Sequence, residues 1–288
     1  MKKYISFIIL AFAACALSAS CNVMDDDCFP TDEVVFGVRD FDVKVQTKAT
    51  AIGAANFGNT FYASATTGAA GSETSAWNSV TFTGPTNYAG GKMWPDSNPS
   101  YHFYGSNIAI THNAAGCTVA ATNATDVMCA YIASPTYKVK NTLNFIHVFA
   151  RVGSVTVNAE SGYTISNVTV VLKNTLTGGT YNIRTAAWSG TTNAGNSTIY
   201  TKSGTNAHGT ISNDLYVIPG TYTVEATWTA TKGEYSQTFS SKSTTVEIER
   251  GKVNNLDTTL GGSATEIIFG VSVEEWTTTS KTLTFPTS

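Results

Sequence analysis

Residues 215–228, LYVIPGTYTVEATW, are the stretch that best predicts the fold. In residues 222–228, apolar and polar side chains alternate, which is the period of a half-buried β-strand. Residues 215–218 form a second such run. Pro219-Gly220 between the two runs suits a type II turn that joins the flanking strands, since proline fixes φ near about −65° and glycine accepts positive φ.

The same period of two recurs along most of the chain, with glycine-containing turns between the runs. No segment beyond the first 28 residues keeps a helical period over three turns. Many short strands with glycine and proline between them are typical of β-sandwiches. We therefore predict an all-β protein, and the further predicted strands are residues 41–45, 152–157, 168–172, 246–248 and 267–273.

Length and composition limit the number of domains and the class of partner. The 288 residues are 42% hydrophobic, which is enough for two domains of ordinary size, and we predict these as residues 34–142 and 143–288. Charged residues make up 13%, about half the usual share, and the formal net charge is −3. The chain has no basic face, so we expect no nucleic acid partner.

The N-terminus has the layout of a bacterial lipoprotein signal. Two lysines precede an apolar run at residues 5–17, and small residues then lead to Cys21. The run is shorter than the about 20 residues of a spanning helix. We predict a signal peptide at residues 1–20 and a lipid on Cys21, followed by an acidic tether at residues 21–33; the alternatives are an ordinary secretory signal with an incidental Cys21 and a merely solvated charge run.

Residues 34–47 alternate like a strand, and the residues 48–59 that follow are rich in Ala, Gly and Asn. A terminal strand followed by such a segment is open to proteolytic release. Arg39 and Lys48 are the two candidate cleavage sites for a trypsin-like protease. We therefore expect residues 34–48 to be removable.

The chain has five cysteines, of which Cys117 and Cys129 are the candidate disulfide pair. An exported location permits this bond, and two buried free thiols are the alternative. The odd number of thiols left after lipidation argues against a disulfide scaffold. No CxxC pair occurs, so we expect no structural zinc site.

Catalytic motifs are missing from the sequence. The four histidines have no metal-ligand spacing, and HExxH, GxSxG and P-loop patterns do not occur. We therefore expect no enzyme, no metal and no cofactor, and we expect His147 to be an interior histidine with a partner. Trp188, within AWSG at residues 187–190, is the best candidate for an exposed platform that stacks on a sugar, although tryptophan is more often a core residue.

Several segments together resemble the fimbrillins, the type V pilus subunits and related tip or anchor proteins of anaerobic Gram-negative bacteria. The resemblance covers nearly the whole chain, and the order of the segments carries it, since each is short. Besides the lipoprotein signal, the segments are QTKAT at 46–50, MWP at 93–95, YHFY at 101–104, LNFIHVFARV at 143–152 and IFGVSVEEW at 268–276.

The resemblance implies two tandem transthyretin-like or Ig-like β-sandwich domains and export to the outer surface. It also implies that proteolysis removes the first strand and that a strand of another subunit fills the groove left behind. The donated strand here would be residues 281–285, where Leu283 and Phe285 alternate with threonine. The well-studied major subunits are cut after arginine, whereas Lys48 best matches the junction here.

A smaller resemblance concerns Thr258, because Asp257-Thr258-Thr259 looks like an O-glycosylation sequence of related bacteria. The expected function is a non-enzymatic fimbrial subunit or tip adhesin at the outer membrane and cell surface. Its expected partners are other fimbrillin subunits, outer-membrane lipid through Cys21, and a host or bacterial surface ligand. The alternative is a surface glycan-binding lipoprotein that uses Trp188.

Overall fold

The computed structural model describes residues 32–40, 60–84, 87–95, 100–109, 118–122, 126–241, 243–263 and 268–275. Within these ranges every regular element is a β-strand and no helix occurs. The strands are β1 Glu33–Asp40, β2 Thr60–Thr67, β3 Thr74–Thr83, β4 Tyr88–Met93, β5 Tyr101–Ser106, β6 Thr118–Thr122, β7 Met128–Ile132, β8 Asn141–His147, β9 Ala150–Ala159, β10 Thr164–Asn182, β11 Ala187–Thr205, β12 Gly209–Val217, β13 Gly220–Lys232, β14 Tyr235–Ser240, β15 Thr244–Ile248, β16 Lys252–Leu260 and β17 Gly270–Glu275.

The first half of the chain forms a closed barrel in the order β1-β4-β3-β2-β5-β7-β8. β1 closes it, because this strand pairs antiparallel with β4 on one side and parallel with β8 on the other. Closure removes the free edges that a sandwich sheet would keep. The predicted first sandwich is therefore a barrel, and the all-β prediction is confirmed.

The second half of the chain consists of two facing sheets. One has the order β11-β10-β13-β14, with β15 on β13 and β6 on β10; the other has the order β12-β9-β16-β17. Side chains from both sheets form one buried cluster, which includes Trp228, Tyr200, Leu172 and Val155. A shared core between two sheets is the arrangement that the alternating pattern predicted.

The chain leaves the barrel later than the sequence indicated. The predicted boundary between residues 142 and 143 falls inside β8, which belongs to the barrel up to His147, and β9 begins at Ala150. β6 precedes β8 in the chain but pairs with β10 of the second half. A third buried cluster joins the two halves and includes Tyr104, Phe149, Tyr181 and Ile218. The two halves therefore share part of their core.

The predicted strands at residues 152–157, 168–172, 222–228 and 246–248 are confirmed as parts of β9, β10, β13 and β15. Residues 41–45 lie outside the described residues.

The turn at Pro219-Gly220 differs from the prediction. It leads from one sheet to the other, and the φ of Gly220 is 157°, whereas a type II turn needs about +80° at this position. The Tyr222 hydroxyl donates to the Ile218 carbonyl at 2.5 Å and fixes this corner, and burial raises the pKa of Tyr222 to about 12.

Candidate assembly site in the barrel

β1 is the first strand of the described residues, and one of its faces is part of the barrel core. Val34, Phe36 and Val38 are 2%, 0% and 2% exposed, whereas Val35 between them is only half-buried. The alternation in the sequence thus places every second side chain inside. Each buried aliphatic or aromatic side chain contributes about 1.5–3 kcal/mol relative to exposure, so β1 is held mainly by these three side chains.

Phe36 is the centre of this contact. Its ring lies 5.9 Å from Phe61, 4.9 Å from Phe82 and 5.0 Å from Phe103, measured between centroids, and all three pairs are edge-to-face. Such pairs add about 0.5–1.5 kcal/mol each beyond the burial of area. The interior of the barrel therefore holds an aromatic pocket that β1 fills with one side chain.

The two seams of β1 differ in length. Along β8, the register runs without interruption from Phe36, opposite Asn141, to Asp40, opposite Phe145. Along β4, only Glu33, Val35 and Phe36 have partners, and the register shifts between Glu33 and Val35. Backbone hydrogen bonds thus hold the second half of β1 on one side only, which makes β1 easier to displace than a strand that is paired on both sides.

The start of β1 is fixed by contacts at the barrel rim. The Trp94 amide donates to the Asp32 carbonyl at 2.9 Å, and the Gly91 amide donates to the Glu33 carboxylate at 2.9 Å. Lys138 Nζ lies 2.9 Å from Asp32 Oδ1, with the Asp32 side chain 78% exposed. An exposed ion pair of this kind contributes about 0–1 kcal/mol. These contacts set the register more than they add stability.

Removal of β1 would leave a slot between β4 and β8. Its floor would be the rings that now contact Phe36, and its sides would be the unpaired backbone groups of the two neighbouring strands. An open edge beside an apolar groove binds an extended segment by β-augmentation, in which main-chain hydrogen bonds give affinity and alternate side chains give specificity.

Of the predicted maturation residues, Arg39 lies near the end of β1, with Asn144 of β8 as its Cα partner. Lys48 and Cys21 lie outside the described residues. A cut after either Arg39 or Lys48 would place residues 33–39 of β1 on the N-terminal fragment. Both candidate sites are thus compatible with loss of the strand.

A buried ion pair, which the sequence analysis did not predict, connects the barrel to the second half. Glu73 precedes β3, and Arg184 lies in the turn between β10 and β11; the guanidinium contacts the Glu73 carboxylate and donates to the Tyr104 hydroxyl. It also lies over the Tyr131 ring, 5.3 Å from the centroid. The Glu73 side chain has no exposed surface, and burial lowers the pKa of Arg184. The residues are 111 positions apart (184 − 73), so no local pattern relates them.

Trp188 is not the exposed loop residue that was predicted. It lies in β11 and is partly buried, with its ring centroid 5.1 Å from Phe149 and 5.1 Å from Tyr181. The two aromatic neighbours cover the ring, because Phe149 and Tyr181 belong to the core between the halves. Trp188 is therefore partly covered in this structure, and its role in stacking on a sugar stays a prediction.

The remaining predicted residues lie in the core or outside the described ranges. Cys129 is buried, which raises the pKa of its thiol, and Cys117 lies outside the described residues, so their pairing stays a prediction. Thr258 is 2% exposed and donates to the Ile268 carbonyl at 3.0 Å, so its glycosylation, also still a prediction, would have to precede folding. The interior position of His147 is confirmed: it is fully buried, and Nδ1 lies 2.8 Å from Asp126 Oδ1.

The described part of the chain also contains a cavity of 390 Å³, which is lined by Tyr101, His102 and smaller residues, among them Gly68 and Ser134. Both ring nitrogens of His102 are engaged, with the Tyr131 hydroxyl and the Gly68 carbonyl. The described ranges contain no group of three or more His, Cys, Asp and Glu residues that could hold a metal ion, and no helix there is long and apolar enough to cross a membrane.

Comparison with known proteins relates the chain to one family. A family model described as fimbrillin-like matches residues 42–276. A fimbrial protein from Bacteroides vulgatus has a similar structure, with a TM-score of 0.58 and 14% identity over 84% of this chain and 99% of its own. A candidate cell adhesion protein from Parabacteroides distasonis has a TM-score of 0.55 and 9% identity over 85% of this chain and 97% of its own. A second candidate cell adhesion protein, from Bacteroides ovatus, has a TM-score of 0.50 and 16% identity over 86% of this chain and 98% of its own. No curated protein matches the chain in sequence.

Proposed function

The chain belongs to the fimbrillin-like family, and from this premise we propose that it is a non-enzymatic fimbrial subunit or tip adhesin that assembles by strand exchange in its barrel. The family consists of fimbrial and cell adhesion proteins of the cell surface, and a fimbrial subunit assembles with other subunits. The proposal adds that β1 is released by proteolysis and that a strand of another subunit takes its place.

The observation that carries the proposal is the position of β1. It is the first described strand, it closes the barrel, and it fills an aromatic pocket with Phe36. Both candidate cleavage sites would release it. A terminal strand with three buried side chains and one short seam is suited to replacement by an equivalent strand.

The proposed donor is the segment at residues 281–285 of another subunit. Leu283 and Phe285 are two positions apart, as Val34 and Phe36 are in β1, so both pairs place an aliphatic and an aromatic side chain on one face of a strand. Phe285 would enter the pocket that Phe36 leaves, and residues 281–285 would take the places of residues 32–36, whose backbone partners lie mainly in β4.

We further propose that the precursor is a lipoprotein anchored through Cys21 in the outer membrane, with residues 1–20 as its signal. The sequence layout before Cys21 supports this. A lipid anchor near the N-terminus and a cut at Arg39 or Lys48 fit together, because the same cut would free the subunit from the membrane and open the slot. The surface ligand of an adhesin role has no candidate among the described residues.

A limited digestion tests the function. Trypsin acting on the folded chain without its signal is expected to cut near Arg39 or Lys48, and the clipped form is expected to form oligomers in size-exclusion chromatography. Arg39→Gln with Lys44→Gln and Lys48→Gln is the control that should keep β1 attached and stay monomeric, because it removes the three trypsin sites from residue 39 to residue 48. Deletion of residues 281–288 should allow the cut and prevent oligomers. A clipped chain that remains monomeric at high concentration would contradict strand exchange.

A further inference from the structure

β17 carries an apolar patch that the function described above does not use. Ile268, Val271 and Val273 are 75%, 39% and 44% exposed. Val271 pairs with Leu256 and Val273 with Asn254, and both of these partners are buried. Cross-strand partners share a face of the sheet. The β17 patch (Val271 and Val273) thus lies on the core face of its sheet, yet nothing in the described part of the chain covers it; Ile268 is exposed just before the strand.

A second exposed apolar side chain lies at the barrel rim. Met93 ends β4 and is 61% exposed, and its register partner is Glu33, the first residue of β1. Lys138, which binds Asp32, lies at the same end. Loss of β1 with its preceding residue removes the carboxylates of Asp32 and Glu33 from this place. After this loss, the rim (Met93 and Lys138) carries more positive charge, and the Met93 side chain still gives it an apolar surface.

The length of chain after β17 brings the two surfaces together. β17 ends at Glu275, and the proposed donor segment starts at residue 281. Six Cα-to-Cα steps span at most about 20 Å when fully extended. A subunit that donates residues 281–285 therefore holds its own β17 within that distance of the entrance to the next subunit's slot. This step rests on the proposed strand exchange. Because of the distance limit, the partner that covers the β17 patch is the next copy of the chain.

The direction in which the donated strand must run determines which end of the slot is the entrance. β1 runs antiparallel to β4 and parallel to β8, and parallel and antiparallel ladders place their hydrogen bonds differently. A replacing strand that uses the same groups of β4 and β8 must run in the same direction as β1. Its first residue then lies at the Met93 end, and the chain runs from there towards Asn144.

We propose that the β17 patch of one subunit docks on the barrel rim of the next, with Val271 and Val273 against Met93. The charges of the two surfaces also favour this contact. The sequence places Glu274 and Glu275 directly after Val273, and the rim presents Lys138 once Asp32 has left. The apolar contact covers two exposed surfaces at once, and the acidic end of β17 brings negative charge to a rim that has lost its own carboxylates.

Cysteine cross-linking in the clipped, assembled chain tests the direction and the contact. One variant combines Val273→Cys with Met93→Cys, and the matched control combines Val273→Cys with Asn144→Cys. Both are made in a Cys117→Ser background, since Cys129 is buried. Asn144 is exposed and lies opposite Arg39 near the far end of β1, about 20 Å from the Met93 end at the rise of a strand. A short bismaleimide is expected to give a covalent ladder with the Met93 pair and none with the Asn144 pair.

Three results of the cross-linking experiment would contradict the docking. A ladder with the Asn144 pair, equal ladders with both, or polymers that link in neither case would overturn the docking while leaving strand exchange intact. If the clipped parent chain does not polymerise at all, both the docking and the proposed function fall.

Substitution of the patch separates the two steps. Val271→Thr with Val273→Thr keeps the strand propensity and is expected to slow polymer growth strongly, while binding of a fluorescent peptide of residues 276–288 by the clipped chain stays unchanged. Polymer growth equal to that of the parent would overturn the role of the patch.

Discussion

At the scale of single residues, Phe36 decides how firmly β1 is held. Its ring is fully buried against Phe61, Phe82 and Phe103, so Phe36→Ala removes a large side chain and leaves a cavity. We expect the unfolding free energy of the intact chain to fall by about 3–5 kcal/mol. Urea unfolding followed by tryptophan fluorescence measures this change.

The control for Phe36 is its neighbour on the other face of β1. Val35→Ala, at a half-buried position, should cost about 1 kcal/mol. Once β1 has been cut and released, Phe36→Ala should have no effect on the remaining domain. Equal losses for Phe36→Ala and Val35→Ala would show that the aromatic pocket does not retain the strand.

Some single residues could be read from the sequence and others could not. Alternation in residues 34–38 correctly set Val34, Phe36 and Val38 on one face, since the period of a strand is a local property. The partial burial of Trp188 could not be predicted from its Gly- and Ser-rich neighbours, because Phe149, whose ring centroid lies 5.1 Å from that of Trp188, is 39 positions away in the sequence (188 − 149). Burial of an aromatic side chain depends on such distant partners.

At the scale of elements, β5 passes so close to β8 that it requires glycine. A Cβ on Gly105 would lie 2.8 Å from Phe145 Cζ and 3.1 Å from Leu143 Cδ1. Gly105→Ala should therefore overpack the barrel and cost about 1–3 kcal/mol. Phe145→Leu in the same chain shortens the opposing side chain, so the double variant should lose less than the sum of the single losses in urea unfolding. Strict additivity would mean that the two strands can move apart freely.

The closure of the barrel is the element-scale feature that the sequence did not predict. Strand positions such as β9, β13 and β15 followed from alternation, which is the same in a barrel and in a sandwich. Closure depends on the parallel pairing of β1 with β8, whose residues Phe36 and Asn141 are 105 positions apart (141 − 36). The predicted boundary at residues 142 and 143 falls within β8 for the same reason, because β8 alternates like any other strand and only its partners assign it to the barrel.

At the scale of the whole molecule, the two halves are held together by shared side chains. The hairpin of β10 and β11 reaches from the second half to the barrel, and Arg184 at its turn meets Glu73 inside the protein. The same guanidinium lies over the rings of Tyr104 and Tyr131, which belong to β5 and β7. Phe103, the neighbour of Tyr104 in β5, contacts Phe36. One barrel strand thus faces β1 on one side and the second half on the other.

The Arg184 contact predicts how the molecule unfolds. Arg184→Met leaves the fully buried Glu73 carboxylate without its cation, so we expect a loss of about 3–5 kcal/mol and a separate melting of the two halves in calorimetry. Glu73→Leu with Arg184→Met removes both charges and should recover most of the loss. Arg151→Met is the matched control, because the Asp214 side chain that Arg151 contacts is 73% exposed and such a pair contributes about 0–1 kcal/mol. A single, unshifted transition for Arg184→Met would show that the shared apolar cluster alone couples the halves.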